Sequence, residues 1–167
     1  TICHVLRYTD FWKAIKKVIS RGEIGDVVSL QLNENVEVMH MSHSFVRGNW
    51  NNKEKSSPMI LQKSCHDMDI ISYVLEKPCK RLSSYGSLMH FKAENAPEGA
   101  PLRCLDGCPA ELECPFHAGR YYHGEGRGWA KKFTEDYTNE GIIEALNKTP
   151  YGKCVYRSDN NVVDHQV

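Results

Sequence analysis

Lys63, His66 and Asp69 recur at three-residue intervals in SSPMILQKSCHDMDIISYVLEKP, Ser56 to Pro78, a stretch otherwise rich in Met, Ile and Leu. Ser57 and Pro58 suit an N-cap and a first helical position, and Lys77-Pro78 a stop, so the stretch is predicted as one helix. Residues three and four apart share a helix face, which sets Lys63 and Gln62 beside His66, and His66 beside Asp69. An imidazole titrates near neutral pH, and a neighbouring ammonium favours its neutral, basic form, the condition of a general base. The competing reading is structural: Lys63 snorkels to water and His66 bonds a backbone carbonyl.

A second group, His40, His43, Arg47 and Trp50, lies in MHMSHSFVRGNWNNKEKSS, which has no apolar period and reads as a loop. Its imidazoles and guanidinium suit the hydroxyls of a sugar, and Trp50 suits an apolar sugar face. The same residues equally suit a metal site, or a solvated loop anchored by Trp50. Cysteines supply a third group. Cys104, Cys108 and Cys114, spaced C-x3-C-x5-C, fall in the Pro- and Gly-rich segment 90–118, which has few apolar residues. Loops beyond about 12 to 15 residues need a function or a staple. One structural zinc, with Cys154 as fourth thiolate ligand, would close it; iron–sulfur ligation and reduced, unligated thiols are the alternatives.

Elements must position these groups. A short strand is expected over Ile2 to Leu6. A helix follows, capped by Thr9 or Asp10, with Phe11, Trp12, Ile15, Val18 and Ile19 on one face and Gly22 at its end. Residues 27–36 alternate apolar and polar, as do 80–88, which suggests antiparallel strands with one wet side. A helix over Asn139 to Asn147, a strand at Cys154 to Arg157, a turn at 159–161 and a strand beginning in VVDHQV complete the reading. HGEGRG, with Gly124, Gly126 and Gly128, has no preceding strand and reads as a flexible turn rather than a phosphate loop. Asn147-Lys148-Thr149 precedes Pro150 and reads as chance rather than a glycosylation site.

The 167 residues are 41% apolar, enough for one main domain. Lys plus Arg equal Asp plus Glu at 21 each, so no net field favours nucleic acid or an anionic membrane, and small molecules or proteins are the expected partners. No apolar run reaches the ~18 residues of a membrane span and no leader is visible. Seven cysteines, an odd number without a leader, fit reduced thiols or metal in the cytoplasm. TICHVL reads as a strand already under way, which suggests a fragment.

Taken in order, HVLRYTDFWKAIKKVISRGEIGDVVSLQ, the Trp50 loop and ILQKSCHDMDIISYVL resemble the Gfo/Idh/MocA family of NAD(P)-dependent sugar and cyclitol oxidoreductases. His4, Arg7, Tyr8, Gly22, Ile24, Gly25 and Val27 occupy the places where that family passes from its Rossmann domain to its substrate domain. The likeness covers residues 1 to 89, while 90 to 167 look like one subgroup. The family's D-x-x-x-H-x-x-D helix is matched at His66 and Asp69, but Gln62 replaces the first acid. The resemblance implies an α+β fold: a mainly antiparallel sheet with helices on one face, preceded by the last strand and linking helix of a missing Rossmann domain. Residues 1–25 would be that remnant, and 26–167 a substrate and oligomerisation domain truncated at its C-terminus.

It further implies NAD or NADP, bound mainly upstream of Thr1 with a contribution from Arg7 and Tyr8, and a homo-oligomer through the open sheet face. His66 would take or return the hydroxyl proton while Lys63 polarises the alkoxide; His43, Arg47, Trp50 and Asp69 would bind the sugar-like substrate. The rivals are a non-catalytic sugar-binding or assembly protein on the same scaffold, and a zinc-stabilised interaction domain.

Overall fold

In the computed structural model, which describes residues 3–167, the helical segments are α1 (Asp10–Ser20), α2 (Val38–His40), α3 (Met59–Gln62), α4 (Cys65–Leu75), α5 (Ala118–His123) and α6 (Asn139–Lys148). The strands are β1 (Gly86–Ser87) and β2 (His165–Gln166). These elements sort into two compact units. The first joins the residues up to Asn35 with Met59–Ser84, and the second joins Val36–Pro58 with Tyr85–Val167. No described helix is long and apolar enough to cross a membrane.

In the first unit Thr9 takes extended backbone angles ahead of α1, as an N-cap does, although its hydroxyl donates to the Leu6 carbonyl at 2.8 Å. Gly22 and Gly25 both take φ of +69°, a left-handed conformation that ends the helix and turns the chain. Lys16 ties α1 to α4: its ammonium lies 4.2 Å from the centre of the Tyr73 ring and donates to the Tyr73 carbonyl at 3.1 Å and to Glu76 at 2.6 Å. α4 buries Asp67, Ile70 and Val74, one face at helical spacing.

Three expectations change here. The helix over Ser56 to Lys77 is broken: α3 stops at Gln62, and α4 restarts at Cys65 after a turn in which the Ser64 amide donates back to Met59 at 3.3 Å. Glu76, at φ 51°, ends α4 ahead of Lys77, where the following Pro78 disfavours helical angles. Of the strand expected over Ile2 to Leu6, Ile2 lies outside the described residues and Val5–Tyr8 is a 3-10 turn. Residues 27–35 are extended but enter no described ladder, and Val28 is 96% exposed. Alternation records which face a strand would bury, yet a strand exists only beside a partner.

The second unit is built around Cys104, Ala118, Tyr122, Ala130, Ile142 and Leu146, with Trp129, Phe133 and Tyr151 packed against them. Its N-terminal stretch is not the expected loop. The Glu37 carboxylate accepts from the Met39 and His40 amides at 2.9 and 2.8 Å, starting α2, which continues as a π-helix over Met41–Arg47 with most side chains buried. α6 falls where expected, its N-terminus capped by the Thr138 hydroxyl on the Gly141 amide at 3.0 Å. Arg103 closes the other end by donating to the Leu146 and Thr149 carbonyls. Residues 118–132 form α5 and a 3-10 helix over Glu125–Lys132, so HGEGRG is neither a free turn nor a phosphate loop.

Among the described residues the only laddered strands are β1 and β2, paired antiparallel as Gly86 with Gln166 and Ser87 with His165. The α+β class therefore holds, but a dominant sheet with helices on one face is not formed by these residues. The strand expected at Cys154 to Arg157 shrinks to one bridge, Arg103 with Lys153. The long segment after residue 90 is held by side chains that satisfy its backbone. Asp164 accepts from the amides of Met89, His90 and Phe91 at 2.8, 2.7 and 3.1 Å, and Arg157 donates to the Ala100 carbonyl at 2.8 Å. Phe91, Phe116 and Tyr156 then pack edge to face.

Leu146 is fully buried in this core whereas Ile143, one turn-face away, is 42% exposed. Leu146→Ala should therefore cost about 2–5 kcal/mol in chemical denaturation, and Ile143→Ala about 0.5 kcal/mol or less. Equal losses would contradict this placement of the core.

Candidate active site

The helix break places Lys63, His66, Asp67 and Asp69 of the first unit around the start of α4. The Lys63 ammonium is not turned to water; it pairs with Glu34 at 2.9 Å. His66 is half-buried, and its Nδ1 is shut from solvent with no hydrogen-bond partner among the described residues. Its ring stands edge-on to His4, centroids 6.0 Å apart. The backbone-carbonyl contact of the structural reading is thus not made at Nδ1. Asp67 beside it is pushed above the usual carboxylate range by burial and by Glu34, against the pull of Lys63, His66 and the Ser64 hydroxyl.

Asp69 is clamped rather than open. Arg7 donates to it through Nε at 2.7 Å and Nη2 at 2.5 Å, a two-pronged pair, and the hydrogen bond and charge of that guanidinium hold the carboxyl below its ordinary range against burial. His4 Nε2 lies 3.8 Å from the same carboxylate. Arg7 and Asp69, expected on the cofactor and the substrate respectively, hold one another instead. Tyr8, the other expected cofactor contact, is 71% exposed. No described segment offers a strand, glycine-rich turn and helix of the kind that cradles a pyrophosphate.

His43, Arg47 and Trp50 belong to the second unit. His43 is buried, stacked on Tyr151 at 4.6 Å and flanked by Trp129 at 4.8 Å, and its Nδ1 shares a 2.7 Å hydrogen bond with the Tyr122 hydroxyl. Burial first, then the charges of Arg47, His40 and Lys132, lowers its pKa to about 4. Arg47 is buried as well, donating to the carbonyls of Lys153 and Phe116, each at 2.7 Å. Both expected sugar contacts are therefore core side chains, because the π-helix turns them inward. Of the three only Trp50, 48% exposed, meets solvent.

All seven cysteines are free thiols. Among the described residues no group of three or more His, Cys, Asp or Glu side chains is arranged to hold a metal ion. The tetrahedral zinc geometry expected of Cys104, Cys108, Cys114 and Cys154 is thus not present in the side chains as they stand. Cys104 Sγ faces the Lys153 carbonyl at 3.8 Å, and the loop it begins is closed by Arg47, Asp164 and Arg157.

Sequence reasoning missed Glu34 and Asp67. Asp67 stood four residues after Lys63 and next to His66, so helical spacing was a usable signal. Glu34 carried none, since its pairing spans a long loop. The profile of the Gfo/Idh/MocA oxidoreductase family, C-terminal alpha/beta domain, matches residues 16–144. The chain is also similar to "Putative oxidoreductase YteT" of Bacillus subtilis strain 168, 28% identical over 173 aligned residues. That alignment takes in 100% of this chain and 37% of the relative, so the chain spans little more than a third of it. No solved structure matches.

The His43 shift sets a pH dependence. With a folded pKa about 4, below its ordinary 6.5, the unfolded chain takes up this proton first as pH falls. The associated stability is present above the ordinary value and is lost between there and the folded value. The melting temperature should fall more steeply over that interval in the parent than in His43→Asn, which keeps a polar atom for Tyr122 but does not titrate. Parallel curves would show that His43 is not buried neutral.

Proposed function

Because the chain belongs to the Gfo/Idh/MocA oxidoreductase family through its C-terminal alpha/beta domain, we propose that it is the substrate-binding part of an enzyme that moves a hydride between NAD or NADP and a hydroxyl-bearing carbon of a sugar or cyclitol. The observation that carries this reading is the α4 cluster. A histidine whose Nδ1 is buried and unpaired stands beside a lysine pinned by a carboxylate. Such atoms are costly to bury without a partner, and an incoming hydroxyl supplies one.

The dinucleotide, when bound, supplies the acceptor or donor of the hydride; the roles below concern this chain's residues alone. In the oxidising direction His66 takes the hydroxyl proton as the hydride departs, and in the reducing direction it returns it. Lys63, held by Glu34, sets a positive charge near the oxygen on which negative charge develops. Asp69 and Arg7 act on position: their two-pronged pair fixes the start of α4 against the chain that carries His4.

Gln62, in place of the family's first acid, favours the rival reading of a sugar-binding protein without turnover. Glu34 and Asp67 answer it, because they bring two carboxyl groups to the Lys63–His66 pair from other positions. A homo-oligomer through a sheet face belongs to the same proposal, supported by the exposed Tyr85 and Met89 that flank β1, as does a cytoplasmic setting.

In the full-length enzyme His66→Ala should lower kcat by ~10² to 10⁴-fold with a smaller change in KM. Lys63→Met should lower turnover too. Near-parent rates in both variants, together with lowered melting temperatures, would show that the cluster only holds the fold.

A further inference from the structure

Arg47 is 1% exposed, yet among the described residues none of the ion pairs includes it. Nε and Nη2 donate to the Lys153 and Phe116 carbonyls, and Nη1 has no well-formed hydrogen bond. A guanidinium withdrawn from water without an opposite charge is among the most costly groups a core can hold. The remaining contact of Nη2 is a sulfur, Cys104 Sγ, at 3.5 Å.

That sulfur has company. Arg103 and Lys153 face each other across an antiparallel bridge, with the Cys104 amide on the Gly152 carbonyl and the Cys154 amide on the Leu102 carbonyl, both at 2.9 Å. Cys104 and Cys154 therefore follow the bridged pair on the two strands and leave the bridge on the same face. Cys108 and Cys114 sit in the consecutive turns between Cys104 and Phe116, where the Glu111 amide donates to the Cys108 carbonyl at 3.2 Å and the Cys114 amide to Ala110 at 2.8 Å. The thiols are near enough to act on one another: Cys114 senses Cys104 and Cys108, and Cys154 senses Cys104 and Cys114.

Their surroundings are donors. Burial raises the Cys114 and Cys154 thiols, while a backbone amide two residues ahead pulls each back, Phe116 for Cys114 and Tyr156 for Cys154. Arg47 does the same for both and touches Cys104. Amides and a guanidinium aimed at sulfur favour thiolate, whereas burial alone favours thiol. A thiophilic cation removes the conflict, since it displaces the protons and leaves the anionic sulfurs that these donors and the buried cation suit.

We propose that Cys104, Cys108, Cys114 and Cys154 bind a thiophilic metal centre as four thiolates, with the Arg47 guanidinium as its buried countercharge. Each S–H releases its proton to solvent as its sulfur–metal bond forms. A divalent ion with four thiolates carries a net charge of −2, as does an oxidised four-iron cluster with four, so Arg47 offsets half in either case. The side chains as they stand do not converge on one ion. Cys104 as a thiol donates to the Lys153 carbonyl; without its proton it can only accept, and Arg47 is the donor beside it. Ligation thus needs the thiols to turn inward or the centre to be larger than one ion. The chemistry is shared, and metal identity decides between them.

The test uses the purified, anaerobic, reduced protein. In one arm it is stripped of metal and titrated with Co(II), then Zn(II), reading the sulfur-to-cobalt charge-transfer band and its loss. In the other, iron and acid-labile sulfide are assayed after incubation with ferrous iron and sulfide. One centre per chain in either arm supports the proposal, and the arm identifies the metal. Cys108→Ser, in a half-exposed turn, should abolish the signal without unfolding the metal-free protein, and Arg47→Met should weaken binding about 10- to 100-fold. A folded protein that gives no thiolate signal in either arm, or a Cys108→Ser variant that binds as the parent does, would overturn it.

Discussion

The two-pronged pair between Arg7 and Asp69 joins the N-terminal turn to α4, and the arrangement of the whole first unit depends on it. Asp69 comes one helical turn after His66, so fixing its carboxylate fixes the azimuth of α4 and the direction in which His66 points. Lys16 repeats the device a turn further along, where Tyr73 and Glu76 receive its ammonium. With α1 contributing no fully buried residue, these charged contacts do much of what an apolar interface does elsewhere. Partly buried, two-pronged charge pairs are the kind whose geometry is well defined.

The second unit meets the same physical requirement differently. Arg47 enters the core without a carboxylate and satisfies itself on carbonyls and sulfur, drawing Lys153, Phe116 and Cys104 together. His43, one turn before it, resolves its burial by remaining neutral among aromatic rings. Both side chains stand in a π-helix, whose wider turn lets residues three to four apart face one core rather than opposite sides. Inserted turns of this kind occur often where side chains must be aimed.

Local signals survived in the structure where the determinant was itself local. Thr9 and Thr138 mark the starts of α1 and α6, and Gly22 the end of α1, because a cap or a left-handed glycine acts within a few residues. The break between α3 and α4 was hidden because the residues on either side have good helical spacing, and Glu34, which holds Lys63 at the break, is distant in sequence. Residues 27–35 have strand-like alternation but no neighbour to pair with. The segment 39–47 read as a loop for the opposite reason: its polar residues are buried, with partners at 104, 116, 122 and 153. Of the candidate site, His66 and Lys63 were legible from spacing, whereas the mutual engagement of Arg7 and Asp69, and the inward turn of His43 and Arg47, were set by tertiary contacts.

The central claim is that α4 serves the transfer of a hydride from a carbon that bears a hydroxyl. Its most direct test is a label. The full-length enzyme would be given NAD or NADP and sugars or cyclitols carrying deuterium on each oxidisable carbon in turn, and the recovered nicotinamide analysed by mass spectrometry. One deuterium passed from a single carbon to the nicotinamide ring, without loss to water, is the outcome this account predicts. Tight sugar binding with no label in the nicotinamide for any substrate would contradict it.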